Sequence, residues 1–173
     1  PAFQNAYTLG RLPMLNSFFD YPDQEGSESP SELVFLSHWN DDKWEKLLRH
    51  TEIRRFRTGD VVIRQGDTDR AFYIIVEGRL EVLIPRGKSG QMRRTQVRES
   101  GAVIGEQAFF DGKPRSATLR AISDGETLSI SLQNFEIFAA HEPELAREVL
   151  LELARTLSVK LRQANQFISN WIK

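Results

Sequence analysis

Residues 103–121 read VIGEQAFFDGKPRSATLRA, and the fold turns on how this stretch is taken. Gly105 leads straight into Glu106, and a short apolar run follows at Ala108, Phe109 and Phe110. The turn Asp111-Gly112-Lys113-Pro114 then precedes Arg115-Ser116-Ala117, after which Thr118-Leu119-Arg120-Ala121 alternates as a strand does. Gly105 permits a backbone conformation or a close approach that a side chain would block. Glu106–Phe109 is long enough for one helical turn, whose unpaired N–H groups can hold an anion. Arg115 offers a planar fork of donors that suits a phosphate, and Glu106 is an acceptor that suits a sugar hydroxyl. Together these residues describe a small site for a sugar phosphate.

Outward from this stretch, the flanking sequence reads as short strands separated by turns. Apolar or alternating segments fall at Ile53–Phe56, Val61–Arg64, Ala71–Val76, Arg79–Ile84, Thr95–Arg98, Ser116–Ala121 and Thr127–Ser131. Their breakers are Thr58-Gly59-Asp60, Gln65-Gly66-Asp67, Glu77-Gly78 and Asp124-Gly125. Strands this short at this spacing predict a sandwich or a jelly-roll barrel. No unit repeats along the chain, so one such domain is expected.

Helical signals lie on both sides. Asn40 is a good N-cap with Asp41 and Asp42 favourable in the first turn, and Trp44, Leu47 and Leu48 share a face. From about Gln133 the helical period returns. Leu145, Val149, Leu153, Leu157, Leu161 and Ala164 form an apolar stripe that Ile168 and Trp171 continue. A helix of about 30 residues from Glu142 to Lys173 outruns the barrel it packs on, so its far end is expected to meet a second subunit or an attached domain. Ahead of all this, Tyr21–Glu32 (YPDQEGSESPSE) has a linker's composition. Residues 1–34 are therefore read as an extension and linker, and residues 35–173 as the domain. The chain opens on Pro1 without an initiator methionine, which fits a piece excised from something longer.

Composition excludes several classes of function. A net charge of −1 gives no bulk drive toward nucleic acid or anionic membrane. With no cysteine there are neither disulfides nor thiolate metal sites, which fits a reducing compartment. No apolar run approaches the roughly 20 residues that span a bilayer, and no signal-peptide pattern opens the chain. A soluble, cytoplasmic protein, or the cytosolic part of a larger one, is the expectation. A metal-dependent barrel enzyme of the cupin type needs clustered histidines on its strands, but the three present, His38, His50 and His141, fall outside the strand region. Neither a Ser-His-Asp order nor a Walker loop occurs. No catalytic residue and no metal ligand is expected. The basic run Arg86-Gly87-Lys88-Ser89-Gly90-Gln91-Met92-Arg93-Arg94 lacks the aromatic or helical support of a nucleic-acid surface and reads as a solvated hairpin loop.

The Gly105-Glu106-Gln107-Ala108 and Arg115-Ser116-Ala117 elements resemble the phosphate-binding cassette of the cyclic-nucleotide-binding domain family, in its catabolite-activator-like sensor form. Upstream, Gln65-Gly66-Asp67-Thr68-Asp69-Arg70-Ala71-Phe72-Tyr73-Ile74-Ile75-Val76-Glu77-Gly78-Arg79-Leu80-Glu81-Val82 is similar to the family's Gly-Asp turn, strand and Gly-centred hairpin. The resemblance covers about residues 35–165, with two separated motifs in the right order. It implies an α+β fold: an antiparallel jelly-roll barrel flanked by an N-terminal helix and long C-terminal helices. It also implies a cyclic nucleotide ligand, cAMP or cGMP, and no other cofactor.

By the same resemblance, Glu106 accepts from the ribose 2′-hydroxyl and Arg115 pairs with the cyclic phosphate. Backbone N–H groups around Gln107 and Ala108 add to the phosphate cradle, Ser116 lies beside the phosphate, and Gly105 and Ala117 complete the set of ligand-binding residues. Gln107 departs from the apolar residue usual there. Lys160 and Leu161 align with the positions that cap the base, while Leu157 is read as core. The family's transcription factors carry a helix-turn-helix after the long helix, and this chain ends at Lys173 without one, so no direct nucleic-acid partner is expected. The expected work is conformational: ligand draws the long helix over the base and signals to an attached effector domain or to a homodimer partner. The alternatives are a ligand-free interaction module of the same fold and a cupin-type enzyme.

Overall fold

The structure is a computed structural model that describes residues 34–86 and 91–171. The extension expected over residues 1–34 lies outside the described residues but for Val34. Helix α1 (Asp41–Leu48) begins where its capping chemistry predicts: Asn40 Oδ1 accepts from the backbone N–H of Lys43 at 3.1 Å, and Trp44 and Leu47 are buried. Eight strands follow among the described residues. They are β1 (Glu52–Phe56), β2 (Val61–Ile63), β3 (Ala71–Glu77), β4 (Leu80–Arg86), β5 (Gln91–Arg98), β6 (Val103–Ile104), β7 (Thr118–Ala121) and β8 (Gly125–Ser131). The short helix α2 (Glu106–Asp111) interrupts them between β6 and β7, and α3 (Leu132–His141) and α4 (Pro143–Trp171) close the chain.

The strands form two four-stranded antiparallel sheets, ordered β1-β8-β3-β6 and β2-β7-β4-β5. This is the expected α+β jelly roll. Phe56, Ile63, Tyr73, Ile75, Leu80, Ile104 and Leu119 fill the space between the sheets. Strand β3 is buried almost throughout, because both of its faces are covered. Tyr73 and Ile75 point into the barrel, while Phe72 turns the other way into an aromatic cluster with Phe35, Phe109 and Phe135, at ring distances of 6.1, 5.0 and 6.4 Å. That explains why Ala71–Val76 is a continuous apolar run with no alternation. At the next crossing, a Cβ on Gly125 would lie 2.1 Å from the Glu77 carbonyl, so only glycine lets the two chains approach.

Two features depart from the expected strands. β6 has only two residues and escapes any pattern test. β5 starts at Gln91, so Arg93 and Arg94 belong to a strand and not to a solvated loop; residues 87–90 lie outside the described residues. β5 also carries a bulge. Val82 pairs with Gln96 and Leu83 with Arg94, which leaves Thr95 as the extra residue, its hydroxyl donating to the Val82 carbonyl at 3.2 Å.

Pro143 opens α4, where its missing N–H costs nothing. The first half of α4 buries Leu145, Ala146, Val149 and Leu153. α1 and the preceding Trp39 hold its base: Trp39 Nε1 and Lys43 Nζ donate to Glu148 at 2.7 and 2.9 Å, and Lys46 donates to Glu142 at 3.1 Å. Past Leu157 the apolar stripe comes to the surface, with Leu161 62% and Ile168 54% exposed. No described helix is long and apolar enough to cross a membrane.

Candidate functional site

Gly105 stands at the entrance to α2 with φ of 78°, in the left-handed region. A Cβ there would sit 2.5 Å from Arg115 Nη1 and 3.1 Å from the Ala71 carbonyl, so both the conformation and the space demand glycine. The vacated room is where the Arg115 guanidinium lies, and Nη1 donates to the Gly105 carbonyl at 2.7 Å.

Arg115 is 3% exposed and held on three sides. Its Nε donates to Asp69 Oδ1 at 3.1 Å, and Nη2 donates to Asp69 Oδ2, making a two-pronged pair. The Tyr73 ring lies beneath, 5.5 Å from the guanidinium carbon, and the Tyr73 hydroxyl donates to Asp69 at 3.3 Å. Hydrogen bonding from Arg115, outweighing the cost of partial burial, holds the Asp69 carboxyl below its ordinary pKa. Burial first, and the Asp69 charge second, push the Tyr73 hydroxyl up. The main chain secures the same junction: Arg115 N–H donates to the Asp67 carbonyl at 2.8 Å and Gly66 N–H to the Arg115 carbonyl at 3.0 Å. The two sequence motifs therefore meet at Arg115. Of the five guanidinium N–H groups, these side-chain contacts engage three, leaving one on each terminal nitrogen.

Glu106, the first residue of α2, is 4% exposed, and its Oε1 accepts from Lys160 Nζ of α4 at 2.7 Å. The same ammonium donates to the Val103 carbonyl at 2.8 Å. At this end of α2 the first backbone N–H groups have no partner within the helix. Ser116 donates to the Gln107 side-chain carbonyl at 2.6 Å, so the unusual Gln107 gives a second link between α2 and the segment that carries Arg115.

A cleft of about 670 Å³ gathers these groups. Gly105, Glu106, Gln107, Ala108, Arg115, Ser116 and Ala117 all line it, as does Lys160. Leu161 does not; it points to solvent, and Gln163, Ala164 and Ile168 stand on the cleft side of α4 in its place. The reason is helical phase. Burial of Leu145, Val149 and Leu153 sets the rotation of α4, and one residue past Lys160 lies about 100° around the axis. Val82, Ile84 and Leu119 make an apolar floor, and Arg93, Arg94, Gln96 and Arg98 a basic wall. Sequence reasoning missed Asp69, which lies 46 residues from its partner. It also missed the wall, for which the only signal was the run of arginines in QMRRTQVR. Among the described residues no group of three or more His, Cys, Asp or Glu side chains is placed to hold a metal ion.

The chain belongs to the cyclic nucleotide-binding domain family, whose profile matches residues 53–142. It is 30% identical over 128 residues to the cAMP-activated global transcriptional regulator CRP of Escherichia coli O6:H1, covering 73% of this chain and 60% of the regulator. A cyclic nucleotide-gated potassium channel of Rhizobium etli is 30% identical over 104 residues, 60% of this chain and 27% of the channel. Among solved structures, a cyclic nucleotide-binding domain from Methylobacillus flagellatus superposes with a TM-score of 0.71 at 22% identity, covering 76% of this chain and 74% of that one. This chain thus spans about three fifths of the length of the regulator it matches.

Proposed function

We propose that this domain is a sensor that binds a cyclic nucleotide, cAMP or cGMP, and passes the occupancy of its cleft to α4. The phosphate sits against the Arg115 guanidinium and the first N–H groups of α2, and Glu106 accepts from the ribose 2′-hydroxyl. Ser116 and Ala117 border the phosphate, while Lys160, Gln163 and Ala164 close over the base. The observation that carries this reading is that Arg115 and Glu106 line one cleft to which α4 contributes a direct bond, from Lys160 to Glu106. A ligand that touches Glu106 therefore touches the residue on which the long helix rests. Differential affinity for two positions of α4 is then a sufficient mechanism. Binding and regulation, not catalysis, are its work, in keeping with the regulators among its relatives.

The exposed face of α4, with Leu150 and Leu161, is the surface through which the signal leaves, to a second copy or to an attached effector domain. A second reading rests on the same contacts. Asp69 already satisfies Arg115 and Lys160 already satisfies Glu106, as a ligand-free interaction module would require. Calorimetric titration with cAMP and with cGMP separates the two. Saturable binding of either, at one site per chain, is expected; heat from neither at millimolar ligand leaves the interaction module.

A further inference from the structure

Helix α2 has six residues, too few to hold together on its own hydrogen bonds. The last turn of a helix leaves carbonyls without a helical partner. Gly112 N–H reaches back to the Ala108 carbonyl at 3.1 Å, but Lys113 N–H turns instead to the Asp111 side chain at 3.0 Å. The next two carbonyls are taken by a residue from the turn before β3. Arg70 donates from Nε and Nη2 to the Phe109 carbonyl at 3.3 and 2.8 Å, and from Nη2 to the Phe110 carbonyl at 3.3 Å. A cation also suits the partial negative charge at a helix's C-terminal end.

Arg70 is itself firmly fixed. Its own carbonyl accepts from the N–H of Leu132, the first residue of α3, at 2.8 Å, and the next residue, Ala71, pairs with Ser131 in the sheet. The residue before it, Asp69, holds the Arg115 guanidinium. Two consecutive side chains of one turn therefore reach the two halves of the ligand cleft. Asp69 holds the half that carries Arg115, and Arg70 holds the half that carries Glu106. Arg70 stands outside the cleft and acts on it only through α2. Phe109 also anchors α2, with ring centres 5.0 Å from Phe72 and 5.4 Å from Phe135. Apolar packing is non-directional, however, whereas hydrogen bonds fix both distance and angle.

We propose that Arg70 is a positioning residue for ligand recognition: by fixing α2 against the turn that holds Arg115, it sets the spacing of Glu106 from Arg115. This rests on the cyclic-nucleotide reading, in which the phosphate meets Arg115 and the sugar meets Glu106. A rigid cyclic ligand spans both groups at once. An α2 that is free to shift must be ordered on binding, which lowers affinity and blurs the choice of sugar.

The test is calorimetric titration of the full chain, and of its Arg70→Ala and Arg70→Lys variants, with cAMP, cGMP and their 2′-deoxy analogues. The usual net contribution of a hydrogen bond predicts that Arg70→Ala weakens the better-bound cyclic nucleotide about threefold to tenfold. The preference for the ribose form over the 2′-deoxy form falls with it, and a merely structural role would not move that ratio. Arg70→Lys recovers part of both, because an ammonium keeps the charge but not the fork. In a Glu106→Gln background, Arg70→Ala lowers the sugar preference no further, since both changes act through one contact.

Hydrogen exchange on the ligand-free proteins supplies a second readout. The N–H of Gly112 exchanges faster in Arg70→Ala, while that of Ile75, bonded to the Ala102 carbonyl in the barrel, keeps its rate. The Arg70 side chain is at the surface, so these variants fold, and the Ile75 rate checks it. Parental affinity and sugar preference in Arg70→Ala overturn the proposal, as does equal loss for the ribose and deoxyribose forms. So does an unchanged rate at Gly112. A parent that binds no nucleotide overturns the proposal together with the reading beneath it.

Discussion

Lys160 Nζ lies 2.7 Å from Glu106 Oε1, joining the long C-terminal helix to the first residue of the helix that borders the cleft. Glu106 is almost wholly buried, and this ammonium is its ion-pair partner. Removing one partner of such a pair leaves an uncompensated charge, whereas removing both does not. Lys160→Met is therefore expected to lower unfolding free energy by about 1–3 kcal/mol, and Glu106→Gln combined with it to recover most of the loss. Urea denaturation of the two single variants and the double variant measures the coupling. Strictly additive effects would show that the contact does not bear on stability.

Arg115 is expected to dominate phosphate affinity. One charge-assisted contact to a shielded anion contributes about 1.5–3 kcal/mol, so Arg115→Ala should weaken cyclic nucleotide binding roughly tenfold to a hundredfold or more. Arg115→Lys should recover only part, because an ammonium cannot both hold Asp69 in two prongs and reach a ligand. Titration that finds Arg115→Ala equal to the parent removes the phosphate from this end of the cleft.

Glu106 is expected to read the sugar. The parent should bind the 2′-deoxy analogue more weakly than the parent nucleotide, and Glu106→Gln should discriminate much less between them. Competition binding gives both ratios. Equal discrimination in the two proteins would place the hydroxyl elsewhere.

Asp69 sets a pH dependence whose sign follows from its lowered pKa. A depressed carboxyl adds stability above the ordinary value of 3.8 and loses it as pH falls through the lower folded value. Between pH 6 and 3 the parent should therefore lose melting temperature in a way that Asp69→Asn reduces. The effect is small, since half of the carboxylate faces solvent and is screened. Asp69→Asn should also weaken nucleotide binding at pH 7, where Arg115 loses the partner that orients it. Thermal scans with identical pH profiles, and unchanged affinity, would leave the pair without consequence.

The surface face of α4 is expected to bind a second copy. Leu161 and Leu150 are exposed eleven residues apart, three turns along one side of the helix. Leu161→Glu should shift a dimer toward monomer in sedimentation velocity at tens of micromolar. A parent already monomeric at that concentration would refute the interface.

The sequence alone determined whatever depends on near neighbours. Asn40 with Asp41 and Asp42 marked the start of a helix, because a cap needs only the next three residues. The strands around Gly66, Gly78 and Gly125 were legible as short runs between turns, because turn chemistry is local. The two short groups Gly105–Ala108 and Arg115–Ala117 were legible because each is consecutive and they lie close in the chain, and both line one cleft. What only the tertiary structure decided involves groups brought together from afar. Asp69 as the partner of Arg115 could not be read from either residue, since any exposed carboxylate of the right sign would have served as well on paper. The same holds for Lys160 and Glu106, which lie 54 residues apart. That Leu161 faces solvent was not legible, because rotation of α4 is set by what its first half buries, and the sequence shows an apolar stripe without showing which part of it the barrel covers. The reading of Arg93 and Arg94 as loop failed because their strand is held by pairing with β4, and the bulge that turns Arg93 to the cleft exists only in that pairing. A strand's parity is a property of two chains, and no single chain displays it.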